Sequence, residues 1–177
     1  ALVGADPFTS GRGLAAALYV ADAGIRLRAA QVLAERSDAA TWSGLCHALF
    51  SDDAAVRQVA STAVTAIGPE IIPSVTIELA RRRTSDGLGP ATVLRHVAGA
   101  LSDMGTAKAA PILIDLLAGP AAGGADDPDR AALVGTVKEG LRTLDDAVLP
   151  IVRECIFRLA DAGAPDANIA DICRRIG

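Results

Sequence analysis

The stretch Asp53-Ala-Ala-Val56-Arg57-Gln-Val-Ala60-Ser-Thr-Ala-Val64-Thr-Ala-Ile67-Gly68, followed by Ile71-Ile72-Pro73-Ser-Val75, decides how the rest of the chain is read. Val56, Ala60, Val64 and Ile67 recur at spacings of 4, 4 and 3, the period of one face of an α-helix. Asp53 stands where a side-chain oxygen takes the first free amides of that helix, and Gly68 stands where its last turn ends. Pro73 suits the first turn of a following helix, since its missing N–H would have no partner there. The segment therefore predicts a helix, a tight turn and a second helix.

The same offsets recur along the chain. Val93, Val97, Leu101 and Met104 precede Gly105; Leu133, Val137, Leu141 and Leu144 repeat the pattern; Ile25, Ala29 and Leu33 make a shorter copy after Asp22. Prolines 73, 111 and 150 follow the last three copies, and the residues two before, one before, two after and six after each are all apolar. These are Ile71, Ile72, Val75 and Leu79; Ala109, Ala110, Leu113 and Leu117; and Val148, Leu149, Val152 and Ile156. Such offsets fall in a sector of about 100°, a stripe that faces a core. With Ser43 in the proline's place, the first copy offers Thr41, Trp42, Leu45 and Leu49.

Helix pairs thus repeat at 30, 38 and 39 residues, and no single pair can bury both of its stripes. The expected fold is all-α, an α-solenoid of stacked antiparallel helix pairs forming a single domain over 1–177. Its repeats fall at about 22–50, 53–83, 90–118 and 129–160, with capping helices at 10–20 and 166–176. Residues 118–128, rich in Gly, Ala and Asp, are expected to form a surface loop, and 84–89 a shorter one.

Asp22-x-x-Ile25-Arg26 and Asp53-x-x-Val56-Arg57, each with Ala four after the apolar residue, resemble HEAT repeats of the bacterial phycobilin-lyase type. The resemblance covers about 22–160, with Leu94 and Val134 in place of the repeat Arg. It implies a right-handed superhelix whose second helices line a concave wall, and most proteins similar to it bind other proteins. A few are enzymes. Deoxyhypusine hydroxylase needs His-Glu pairs for two irons, but His47 and His96 are not followed by Glu. The DNA glycosylases of this type use a basic face with aromatic side chains, whereas this chain carries a net charge of −4 and 3% aromatics. Phycobilin lyases remain a likeness of fold, with no residues here that mark a bilin pocket.

Composition agrees with this reading. A chain of 177 residues with 51% hydrophobic content is globular, and its scarce aromatics require a core of Ala, Val, Ile and Leu. Cys46, Cys155 and Cys173 include no Cys-x-x-Cys pair, so packed, reduced thiols are expected rather than a disulfide framework or zinc site. No apolar run approaches the roughly 18 to 20 residues of a spanning helix, and a cytoplasmic location is expected. Opening at Ala1 rather than Met fits a piece of a longer protein.

The chemical motifs read mostly as structure. Cys46 and His47 are adjacent on a helix and point about 100° apart, which disfavours a nucleophile and base pair. Gly11-Arg-Gly13 and Gly87-Leu-Gly89 match no complete phosphate loop and read as turns. Arg81-Arg82-Arg83 suits a helix C-terminus or an acidic partner; Asp126, Asp127 and Asp129 suit the cap of the next helix; Trp42 reads as packing. Opposite the core stripe, four residues after each proline position, stand His47, Ile77, Asp115 and Glu154, and one turn further Ser51, Arg81, Gly119 and Arg158. A surface row that varies while the buried row stays apolar is the form of a recognition face. The expected function is a non-catalytic scaffold or adaptor that binds a protein or peptide through His47, Ile77, Arg81, Asp115, Glu154 and Arg158. No cofactor, metal, nucleic acid or membrane partner is expected.

Overall fold

The computed structural model describes residues 11–36, 38–85, 87–118, 127–144 and 148–161, and these are helical apart from the turns and short loops between elements. The expected closing helix at 166–176, and most of the loop at 118–128, lie outside the described residues. In chain order the helices are α1 (Gly11–Ala17), α2 (Ala23–Arg36), α3 (Trp42–Leu49), α4 (Ala54–Ile67), α5 (Ile72–Ser85), α6 (Ala91–Asp103), α7 (Ala110–Ala118), α8 (Pro128–Arg142) and α9 (Leu149–Asp161). Short 3-10 turns at Gly68–Ile71 and Ala107–Ala109 lead into α5 and α7. By compactness the chain divides into two units, Ala1–Arg81 and Arg82–Gly177, with the cut inside the last turn of α5.

The helix boundaries follow the cap chemistry read from the sequence. Asp53 accepts from the amides of Ala55 at 3.0 Å and Val56 at 3.4 Å, and Asp127 accepts from Asp129 at 2.9 Å. Gly68 ends α4 at φ 78 and ψ −151, a conformation closed to residues with a Cβ. Its N–H still reaches the Val64 carbonyl, so the helix ladder is completed before the chain turns. Pro73, Pro111 and Pro150 each occupy the second position of their helix. The whole run Ala54–Ser85 is long and apolar enough, by length and composition, to cross a membrane. The turn at Gly68 breaks it into two helices of 14 residues, each about 21 Å long against a hydrocarbon layer of roughly 30 Å.

Within the first unit, α1 packs on α2 and α3, and α2 and α3 pack on each other and on α4. Within the second, α6 lies against α7 and α8, and α7 against α8 and α9. Most residues of the predicted stripes are buried: Val56, Ala60, Val64, Ile71, Val75, Leu79, Val93, Val97, Leu101, Leu113, Leu117, Leu133, Val137, Leu141 and Val152. Helix α7 goes further than its stripe, because Ile112, Ile114 and Leu116 are buried as well and only Pro111 and Asp115 between Ala109 and Leu117 are half-exposed. Several expectations need correction. Ile25, in the first turn of α2, is 41% exposed, whereas Ala29 and Leu33 are buried. Met104, just beyond the end of α6, is half-buried, as are Ile67 at the end of α4 and Leu149 at the start of α9. The first helix stops at Ala17, short of Val20, and α5 runs to Ser85 into the expected loop at 84–89.

Small residues set how closely the helices approach. A Cβ on Gly140 of α8 would stand 2.8 Å from the Ser102 Cβ of α6, nearer than real side chains come. A Cβ on Gly44 of α3 would stand 3.1 Å from a Leu33 methyl of α2. Gly135, on the exposed side of α8, has nothing within 4 Å. The two glycines of α8 therefore predict opposite signs. Gly140→Ala should lower the unfolding free energy by about 1–3 kcal/mol through overpacking, and Gly135→Ala should raise it by about 0.5–1 kcal/mol through helix propensity, both read by urea denaturation.

Candidate functional site

The side chain of Arg26, in the first turns of α2, closes the preceding turn. Its Nη1 donates to the carbonyls of Val20 at 2.9 Å and Ala21 at 2.8 Å, and its Nη2 donates to Asp53 Oδ2 at 3.1 Å. Arg57 repeats half of this pattern on α4, donating from Nη1 to Ser51 O at 2.7 Å, six residues back just as Val20 lies six before Arg26. Asp53 thus caps α4 while tying it to α2. Burial pushes the Asp53 carboxyl up, but the Arg26 hydrogen bond, the Val56 and Ala55 amides and the Arg26 charge outweigh it and hold the carboxyl below its ordinary value. A depressed carboxylate contributes stability that is present above the unfolded-state value, about 3.9, and is lost as the pH falls through the folded one. Asp53→Ala should cost about 0.5–2 kcal/mol at neutral pH, and its deficit relative to the parent should shrink in acid melts.

Four side chains of the first unit converge on a second polar junction. Glu78 of α5 is buried, and its carboxylate is held by a fork from Arg81, Nε to Oε2 at 2.8 Å and Nη2 to Oε1 at 2.7 Å. His47 of α3 places Nδ1 3.3 Å from Glu78 Oε1, 3.3 Å from Arg81 Nη2 and 3.0 Å from the Tyr19 hydroxyl. The Tyr19 and His47 rings stack with centroids 4.2 Å apart and planes at 25°. Nδ1 donates to Glu78 in one tautomer and accepts from the Tyr19 hydroxyl or Arg81 in the other. Tyr19 itself, in the turn between α1 and α2, is 66% exposed.

The junction gathers two of the six residues expected to bind a partner, His47 and Arg81, and Ile77 stands one helical turn from Arg81 at 70% exposure. In the second unit Asp115 of α7 receives Arg83, which donates to its carbonyl at 2.8 Å and approaches its Oδ2 at 3.5 Å. That carbonyl is among the last four of α7, which lack partners within the helix, so Arg83 caps a neighbouring helix rather than its own. The Arg81-Arg82-Arg83 run is therefore largely engaged within the chain: Arg81 answers Glu78 and Arg83 answers Asp115. Glu154 is exposed on α9; Arg158 lies on the same helix, and its side chain is outside the described residues. Trp42 is half-buried at the start of α3.

Tyr19 and Glu78 were absent from the residues expected to form the site. Glu78 carries a signal in retrospect: it sits one position before Leu79 of the apolar stripe with an Arg three residues on, the spacing of a helical ion pair. Nothing local marks Tyr19, because its partner lies 28 residues away.

Cys46, the neighbour of His47, faces the core. Burial first, and the charge of Glu78 second, push its thiol up to about 12, which opposes formation of a reactive thiolate. Iodoacetamide at pH 8 should leave Cys46 unmodified in the native protein and alkylate it in guanidinium, as read by peptide mass spectrometry. Among the described residues, no group of three or more His, Cys, Asp or Glu side chains is arranged to hold a metal ion.

No family model matches the chain, and no curated protein matches it. A crystal structure described as an engineered protein is similar at 20% identity with a TM-score of 0.39, over 94% of this chain and 77% of that one.

Proposed function

We propose that this chain is a non-catalytic interaction module of HEAT-like helix pairs that binds a protein or peptide on the outward side of its second helices. The observation that carries the reading is an inversion on α5. Ile77 is exposed while the adjacent Glu78 is buried, the reverse of what burial free energy favours at each residue. A helix that keeps a carboxylate inside and an isoleucine outside departs from local consistency, and such departures concentrate where a surface is used. Ile77 with Arg81 and the exposed ring of Tyr19 supplies an aliphatic, a guanidinium and an aromatic group, and arginine and tyrosine are among the types that dominate binding energy at interfaces.

The solenoid stacking of the modules belongs to the same proposal. What supports it is the packing seen inside each unit, first helix on first helix for α2 with α4 and α6 with α8, and second on second for α7 with α9. The Arg26 and Arg57 clamps, at matching positions of successive pairs, support it too.

Ile77→Asp and Glu154→Lys test the reading, since both side chains are exposed. A partner identified by affinity capture and then purified should bind the double variant at least about tenfold more weakly, a loss of about 1.4 kcal/mol, with the helical circular dichroism unchanged. Undiminished binding by a correctly folded variant would overturn the placement.

A further inference from the structure

We infer that His47 is a positioning residue that links the α1–α2 turn to α5, so that the exposed Tyr19 ring and the Arg81 guanidinium respond to each other rather than act as two separate side chains. The inference rests on the reading above for its functional meaning, while its physical content lies in the first unit alone. Ile77 and Arg81 are neighbours at i and i+4 on α5. The Arg81 fork is fixed by the buried Glu78 carboxylate, and both of those groups come within 3.3 Å of His47 Nδ1. The other side of the imidazole contact is the Tyr19 ring, stacked at 4.2 Å. Behind Tyr19, the carbonyls of Val20 and Ala21 are held by Arg26, so the turn cannot shift at one end without straining the clamp at the other.

His47 therefore occupies a different role from the one its surface row implies. It is half-buried, with its nitrogen turned toward Glu78 and its ring face covered by Tyr19. A partner that engages Arg81 alters the acceptor shared with His47, and the imidazole passes that change to the tyrosine ring through the stack. Coupling of this kind needs a connected set of packed and hydrogen-bonded groups whose joint effect exceeds the separate ones.

Tyr19 is the one tyrosine in the sequence, so the full chain grown with tyrosine labelled at its ε ring carbons gives a single tyrosine signal in solution NMR when the ring flips fast. Arg81→Gln, and separately Arg81→Lys, which keeps the charge without the fork, should displace that signal although neither changes Tyr19 or His47. In a His47→Phe background the ring stack is retained and the nitrogen is removed; there the Tyr19 signal should no longer respond to either Arg81 substitution. A Tyr19 signal indifferent to Arg81 in the parent chain, or equally responsive in His47→Phe, would overturn the inference. No partner is needed for this measurement, so its failure leaves the capture experiment standing, and a failed capture experiment leaves the coupling intact.

Discussion

An interior built almost entirely of Ala, Val, Ile and Leu must bring its helices close, and that requirement shapes the molecule more than any single bond. Large aromatic side chains can fill a gap of several ångströms; short aliphatic ones cannot, so the backbones themselves have to approach. Gly140 beneath Ser102 and Gly44 beneath Leu33 are where the approach is tightest. Helix α7 shows the other consequence. Surrounded by α6, α8 and α9, it has almost no outward side, and Asp115 is the one charged residue between Ala109 and Leu117.

Close packing leaves the ends of helices crowded with unpaired carbonyls, and arginine answers that problem repeatedly. Arg26, Arg57 and Arg83 all donate to backbone carbonyls after or within the last turn of a helix, the first two from matching positions of successive pairs. A guanidinium suits the task because its planar array of donors can serve a carbonyl and a carboxylate at once, as Arg26 does with Val20, Ala21 and Asp53. Where Leu94 and Val134 replace it, both side chains are buried instead. The second unit thus uses apolar contact at positions where the first uses polar clamps.

This contrast separates what the sequence makes legible from what it does not. Caps, stripes and helix order follow from local rules, since Asp53, Gly68 and the three prolines act within a turn of their own positions. The site was only half legible. His47, Ile77 and Arg81 were reached by counting from the proline, yet counting assigns a side to a residue and says nothing of what lies beside it. Glu78, counted with neither the stripe nor the surface row, turned out to be the group on which His47 and Arg81 converge, and Tyr19 enters from a turn that no periodicity marks. Ile25 differs again: its spacing matches that of Val56, which is buried, yet it is 41% exposed.

The pairing of a buried Glu78 with an exposed Ile77 is costly in two ways, and the structure offsets only one of them. The carboxylate is compensated by the two-point Arg81 fork, with the His47 imidazole beside it, which returns much of the hydration it loses. Ile77 is 70% exposed, and Pro73 and Arg81, four residues to either side of it on α5, are exposed too. Exchanging the two residue types would place an apolar side chain toward α3 and a charge in water, the arrangement that stability alone prefers. Single exposed apolar side chains are common on protein surfaces, so it is the buried carboxylate beside it, rather than Ile77 alone, that sets this turn of α5 apart.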